Sequence, residues 1–343
     1  MGDSKMYTST LGIDLAKNVF QLHGVNAKGK PIIRKRLSRN KLLPFLANLP
    51  PCLIGMEACS SSNYWARKLS AFGHEVRQIS PQYVKPYVKT NKNDYNDAEA
   101  ICEAVSRPGM RFVPLKNIEQ QDIQALHRVR ERLVRDRTAL VNQTRGVLRE
   151  YGVFIPEGIH SFRNQIPEIL EDGQNELTTL TREIIADQYE RLLEIDQRIA
   201  KYDKRINLIF RCSPLCQRLG AIDGVGPMTA TALIAAVGDA QEFRNGRHLA
   251  AWLGLVPRQH SSGERNILLG ISKRGNTYLR TLLIHGARSV VRRCDSRTDA
   301  RGHWMQNIKE RRGFNRACVA VANKNARILW ALMTSEEPYR IAA

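Results

Sequence analysis

Residues 7–37, YTSTLGIDLAKNVFQLHGVNAKGKPIIRKRL, decide the fold of the first third of the chain. Three runs in it, YTSTLGID (7–14), NVFQLHGV (18–25) and PIIRKRL (31–37), are rich in β-branched, aromatic and aliphatic residues. Short polar links separate them, the second being AKGK at 27–30. That pattern predicts an antiparallel three-stranded meander. Working outward, a helix is expected over 41–49, a short buried strand at CLIGME (52–57), a helix over 62–72, a strand at 75–79 and a helix over 94–106.

A meander followed by alternating helices and strands is the order of a ribonuclease H-like α/β domain, expected here over 1–115. The whole chain of 343 residues is long enough for about two domains. It carries 53 Lys+Arg against 33 Asp+Glu, a net charge of +20. Charge of that sign and size points to a polyanion, nucleic acid first. Residues 1–115 hold a net +9, residues 116–211 a net 0 and residues 212–343 a net +11, which predicts two basic domains flanking a neutral spacer. The seven cysteines are odd in number, and Cys212 and Cys216 are followed by no second pair at zinc-site spacing. Reduced thiols in the cytoplasm are therefore expected. No membrane partner is expected, since no run reaches about 18 uncharged apolar residues, and MGDSKMYTST at the start lacks the apolar core of a signal peptide.

The middle part reads as helix. Between 118 and 151 there is no proline, and Leu126, Leu133, Leu140 and Val147 recur every seven residues. After a break at Pro156, Gly158 and Pro167, a second helix carries Leu192, Ile195, Ile199, Tyr202, Ile206 and Ile209 at spacings of three and four. This is a coiled-coil pattern, whose partner is either the first helix folded back or a second subunit. The last part, expected to be mainly helical, opens with LGAIDGVGPMTATALIAAVG (219–238). An apolar helix end, a turn at Gly224 and Gly226, Pro227 at a first helical position and an Ala-rich helix predict a helix-hairpin-helix. Such a turn offers backbone N–H groups to a phosphate.

Four acids stand out in the first domain. Asp14 and Glu57 end apolar strands, and Asp94 and Asp97 lie three apart at a helix start. Carboxylates gathered in one cleft repel, and a divalent cation, Mg2+ by its preference for oxygen, is the natural occupant. Such a site can align a phosphate for in-line displacement. A second candidate is the stretch AAWLGLVPRQHSSGERNILLGISKRGNTYLR (250–280), where Ser261 and Ser262 sit in a polar loop before Gly263. Arg258, Arg265, Lys273, Arg274 and Arg280 surround them, opposed by Glu264, and would neutralise a scissile phosphate. Arg128, Arg132 and Arg135 on the first long helix suit a phosphate backbone. The arginine-rich stretches 288–301 and 309–316, with Trp304 and Phe314, suit backbone binding and base stacking.

The blocks GIDLAK, GMEACSSS, KNDYNDAEAI, DGVGPMTATAL and GLVPRQHSSG to SKRGNTYLRTLL, in this order, resemble the insertion-sequence transposases with an N-terminal RuvC-like domain and a C-terminal serine. The resemblance implies that Asp14, Glu57, Asp94 and Asp97 form an acidic tetrad and that Ser262 is the nucleophile, Ser261 being its near neighbour. It also implies metal-assisted attack on double-stranded DNA, a phosphoserine link and a free 3′-hydroxyl. A structured non-coding guide RNA, and homodimers pairing into homotetramers, are further implications. A two-metal nuclease or junction resolvase with a non-catalytic serine loop, and a non-enzymatic binding scaffold, are the competing readings of the same residues.

Overall fold

The computed structural model describes residues 7–89, 94–263 and 265–340; Glu264 and the side chain of Asp94 lie outside that set. The chain divides into two compact units, Met1–Glu119 and Gln120–Ala343.

The first unit is a mixed α/β sheet. Strands β1 (Thr10–Leu15), β2 (Val19–Val25) and β3 (Pro31–Ser38) form the meander, and α1 (Arg39–Ala47) leads to β4 (Leu53–Glu57), parallel to β1. Helix α2 (Ser62–Ser70) leads to β5 (Glu75–Ile79), parallel to β4. The short α3 (Pro81–Val84), α4 (Asp94–Val105) and the two-residue β6 (Phe112–Val113) complete the unit, and the sheet order is β3-β2-β1-β4-β5-β6. This order is consistent with the ribonuclease H-like expectation. Because strand side chains alternate, Leu11, Ile13, Phe20, Leu22, Ile54 and Met56 pack with Trp65, Leu42 and Leu46 on one face. The other face meets α4 at almost no distance. A Cβ on Gly12 would stand 2.2 Å from the Ala98 carbonyl oxygen, and one on Gly55 would stand 2.8 Å from Val105 Cβ, so only glycine lets α4 rest on β1 and β4.

The second unit is mainly helical. Helices α5 (Ile118–Glu150), α6 (Ile159–Glu171) and α7 (Thr179–Cys212) share one core through Leu133, Leu140, Leu148, Phe162, Ile166, Ile185, Leu192 and Ile199. Arg130 pairs with Asp203 and Arg137 with Asp196, so α5 and α7 run antiparallel in one chain. Pro167, expected to break the helical pattern, sits inside α6. It leaves the Arg163 carbonyl without its usual donor, and the Tyr189 hydroxyl donates to that oxygen at 3.3 Å. There follow α8 (Pro214–Gly220), α9 (Pro227–Val237), α10 (Gly246–Trp252), the hairpin β7 (Pro257–Ser262) and β8 (Arg265–Ile271), α11 (Thr277–Arg292), α12 (Ala300–Arg312) and α13 (Phe314–Thr334). Their core gathers Leu219, Leu233, Leu249, Leu279, Leu283, Met305, Val321 and Leu329. Among the described residues no helix is long and apolar enough to cross a membrane.

A buried chain of hydrogen bonds ties α5 to α9 and α11. The Thr231 hydroxyl donates to the Pro227 carbonyl at 2.7 Å, so it accepts from His127 Nε2 at 2.9 Å, and His127 Nδ1 then accepts from the Tyr278 hydroxyl at 3.0 Å. Burial first, and Arg130 second, push the His127 imidazole down to about 4. A depressed imidazole contributes stability that is present above its unfolded value of about 6.5 and is lost as pH falls through the folded value. The second unit is therefore expected to lose about 3 kcal/mol between roughly pH 7 and pH 4 from this group alone. Denaturant titrations across that range check it, with His127→Gln, which cannot take up a proton, giving a flatter profile.

Candidate functional site

The strand register lines up the acids. Ile13 stands beside Met56 in the parallel pair, so Asp14 at the end of β1 and Glu57 at the end of β4 come abreast, on the face that carries Gly12 and Gly55. The first turn of α4, with Asp97, closes over that end because α4 sits directly on the glycines. Burial raises the Glu57 carboxyl above its ordinary value, and the charges of Asp14 and Asp97 raise it further. These three carboxylates therefore share one field. Asp94 begins α4, but its side chain lies outside the described residues, as does the opposing Glu264. Among the described residues no three His, Cys, Asp or Glu side chains are drawn together at metal-holding distance. The donor set is nonetheless all oxygen and anionic, the chemistry that suits a hard divalent cation.

The serines expected in a loop lie instead on a two-stranded hairpin. Ser262 pairs with Arg265, Ser261 with Asn266, His260 with Ile267 and Gln259 with Leu268. Residues directly opposite share a face and neighbours alternate. Ser262 therefore shares its face with Arg265, His260 and Ile267, while Ser261 shares the other with Gln259, Asn266 and Leu268. Gln259 Nε2 donates to the Ser261 hydroxyl at 2.8 Å and to Asn266 Oδ1 at 3.4 Å. The hairpin is exposed on both faces, Leu268 at 67%. This is why no alternation of polar and apolar residues announced it.

Comparison with known proteins follows the same two stretches. The family described as "Transposase IS116/IS110/IS902 family" matches residues 216–303, and a DEDD-type transposase family named for IS110 matches residues 11–153. The chain is 51% identical over 336 residues to a "Probable family 20 transposase" of Pseudomonas aeruginosa, covering 98% of this chain and 99% of that one. It is 49% identical to the "Transposase for insertion sequence element IS1111A" of Coxiella burnetii, covering 97% and 92%. It is 39% identical to the "Transposase for insertion sequence element IS1328" of Yersinia enterocolitica, covering 94% and 96%. The chain belongs to the IS116/IS110/IS902 transposase family. It is a DNA recombination enzyme, and a DEDD-type domain suggests a divalent metal.

The basic residues of the transposase divide into two groups. Arg258, Arg265, Lys273 and Arg274 are exposed around the hairpin and the turn that follows it. Arg128 is exposed on α5, as are Arg132 and Arg135, which form i,i+4 pairs with Asp136 and Glu131. Arg280, expected on the nucleic-acid surface, is only 7% exposed. Its guanidinium donates to the Leu253 carbonyl at 3.1 Å, the Arg274 carbonyl at 3.0 Å and Thr277 Oγ1 at 3.0 Å. It thus clamps the 272–276 turn at the root of the hairpin. Gly224 is likewise turned inward: its φ is +84°, and a Cβ there would stand 2.7 Å from the Gly286 carbonyl oxygen of α11. Gly226 is exposed and caps α9, with open space where a Cβ would go.

Gln21 escaped the sequence reading. In NVFQLHGV the alternation marks Gln21 and His23 as a solvent face, but α4 covers that face and both are buried. The usable signal was Gly12 in GID, which needs a helix over the neighbouring strands.

Two outcomes are expected. A carboxyl raised in the folded state costs stability where it is ionised and costs nothing where it is protonated in both states. Glu57→Gln should melt higher than the parent protein in EDTA at pH 7, with the gain vanishing below about pH 4. Arg280→Met should lose about 2–4 kcal/mol by leaving the buried Leu253 carbonyl and two partly buried acceptors without their donor, whereas Arg265→Ala should stay within about 0.5 kcal/mol; urea unfolding separates the two.

Proposed function

We propose that this transposase is an RNA-guided, site-specific DNA recombinase that cuts and rejoins strands with two chemical centres. In the first, Asp14, Glu57, Asp94 and Asp97 hold a divalent cation, Mg2+ by its preference for an oxygen set. When bound, the cation neutralises the scissile phosphate and the charge on its departing oxygen. The observation that carries this reading is the placement of Asp14 and Glu57 at the ends of adjacent parallel strands, beneath the helix whose first turn bears Asp97. Folding alone gains nothing from three mutually repelling carboxylates beneath one helix.

In the second centre Ser262 is the nucleophile. Its Oγ bonds to phosphorus as the bond from phosphorus to the 3′ oxygen breaks. The hydroxyl proton passes to a base, for which His260 on the same strand face is the nearest in register, and the departing oxygen takes a proton. A phosphoserine link and a free 3′-hydroxyl remain. Arg258, Arg265, Lys273 and Arg274 neutralise the phosphate. Ser262 is favoured over Ser261 because Arg265 stands opposite it, while Gln259 engages the Ser261 hydroxyl.

The wider assembly follows from the resemblance and from the charge. Residues 1–115 carry the acidic centre, 116–211 serve as a coiled-coil spacer, and 212–343 carry the serine and a helix-hairpin-helix presenting Gly226. Element ends and target double-stranded DNA, with a structured non-coding guide RNA, meet the basic ends of net +9 and +11, with Arg128, Arg132 and Arg135 on α5 as further contacts from the neutral segment between them. Homodimers pair into homotetramers in the cytoplasm, so that the acidic centre of one subunit works with the serine of another.

The test uses DNA carrying the element's junction and denaturing gels for a protein-linked strand. The parent protein and Ser261→Ala should form the adduct. Ser262→Ala and Asp14→Asn should lose it by on the order of 1,000-fold or more. Continued cutting by Ser262→Ala to a free 5′-phosphate would replace the serine mechanism with a metal-dependent nuclease.

A further inference from the structure

Strand register sets Gln21 in the acidic row. Gln21 on β2 pairs with Asp14 on β1, Asp14 stands abreast of Glu57 on β4, and on the other side Gln21 pairs with Arg36 on the edge strand β3. Adjacent strands are about 4.8 Å apart, so an arginine, a glutamine and two carboxylates lie in one line across four neighbouring strands. Phe20 and Leu22 point into the opposite core with Trp65, which leaves Gln21 on the face under α4.

Gln21 is 4% exposed, and its Oε1 is buried without a hydrogen-bond partner. An amide oxygen accepts and cannot donate, and an ionised carboxylate is also an acceptor. A buried orphan acceptor is costly, and the side chain standing beside this one in register is an acid. An N–H or O–H donor or a cation can satisfy such an oxygen; no donor among the described residues meets it, and a cation, or a water that a cation holds, would serve the acid beside it as well. Arg36, the one cation in the row, is exposed at the edge.

We propose that Gln21 Oε1 is a further oxygen donor for the divalent cation of the acidic centre, directly or through one of the cation's waters. This inference rests on the acidic-centre reading given above. A neutral donor adds a ligand without adding to the repulsion among the carboxylates. It also draws the cation towards β2 and β3, where Arg34 and Arg36, in register with His23 and Gln21, offer positive charge to a phosphate. The glutamine is thus the link between a carboxylate site and a cationic sheet edge.

The test uses the full-length protein with the metal alone, following Mn2+ binding by electron paramagnetic resonance, Mg2+ binding by calorimetry, and melting with and without EDTA. Gln21→Leu and the near-isosteric Gln21→Met should bind Mn2+ about tenfold or more weakly. Both should melt in EDTA no lower than the parent, because the orphan oxygen is gone. Gln21→Glu should keep tight Mn2+ binding and melt lower in EDTA, since it adds a carboxylate to the row. Leu and Met variants that bind Mn2+ like the parent, while Asp14→Asn does not, would overturn the role of Gln21 and leave the acidic centre standing. Parent-like binding by Asp14→Asn would remove the acidic centre itself, and this inference with it.

Discussion

The contact on which the first unit depends is the seating of α4 directly on the backbones of β1 and β4. It requires glycine at 12 and 55, because a Cβ at either would meet backbone or side-chain atoms at 2.2–2.8 Å. Everything in the acidic row follows from that closeness. It lowers Asp97 towards Asp14 and Glu57, removes water from Glu57, and covers Gln21 and His23, which would otherwise face solvent. Carboxylates placed in this way oppose folding. The compensating burial is on the opposite face, where two helices cover Leu11, Ile13, Phe20, Leu22, Ile54 and Met56. A sheet with one face spent on stability and the other on charge is a physical division of labour, written in alternate residues of the same strands.

That alternation explains why the first unit was legible in the sequence. Strand runs at 7–14, 18–25, 31–37, 52–57 and 75–79 correspond to β1 to β5, displaced at their ends by no more than three residues. The acids were legible because Asp14 and Glu57 end apolar strands. Gln21 was not, since period-two alternation separates two faces but cannot tell a solvent face from one covered by a helix distant in sequence. The serine segment was misjudged for the opposite reason. Its hairpin has no buried face, so polar RQHSS and apolar ILLG show no alternation to read. Arg280 was assigned by its charge, and only tertiary packing shows that its donors are consumed by carbonyls within the fold.

The charge pattern has a structural counterpart. In the helical segment, Arg130 meets Asp203, and both Arg137 and Arg163 meet Asp196, across three helices that share one apolar core. Partly buried pairs of this kind fix register and direction between helices, and they lie in a segment, 116–211, whose net charge is 0. A segment that balances its charges internally has little to offer a polyanion at long range. The surplus of +9 before it and +11 after it therefore concentrates electrostatic attraction at the two parts that carry the acids and the serine.

The hairpin bearing Ser262 imposes the opposite requirement. In the proposed mechanism the Ser262 hydroxyl reaches phosphorus on a duplex, and two strands exposed on both faces are narrow enough for that approach. Such a hairpin is marginal on its own, so its order must come from the root. There the N–H groups of Ser272 and Lys273 donate to the carbonyls of Val256 and Gly254, and Lys273 holds the left-handed φ of +54°. Arg280 then binds the carbonyls on both sides of that crossing. The clamp uses a buried cation where an apolar side chain would have packed, because the planar fork of N–H donors on a guanidinium can satisfy converging carbonyl oxygens at once. Arg280 thereby turns the exposed Arg274 and Lys273 outward beside the strand that leads to the serine.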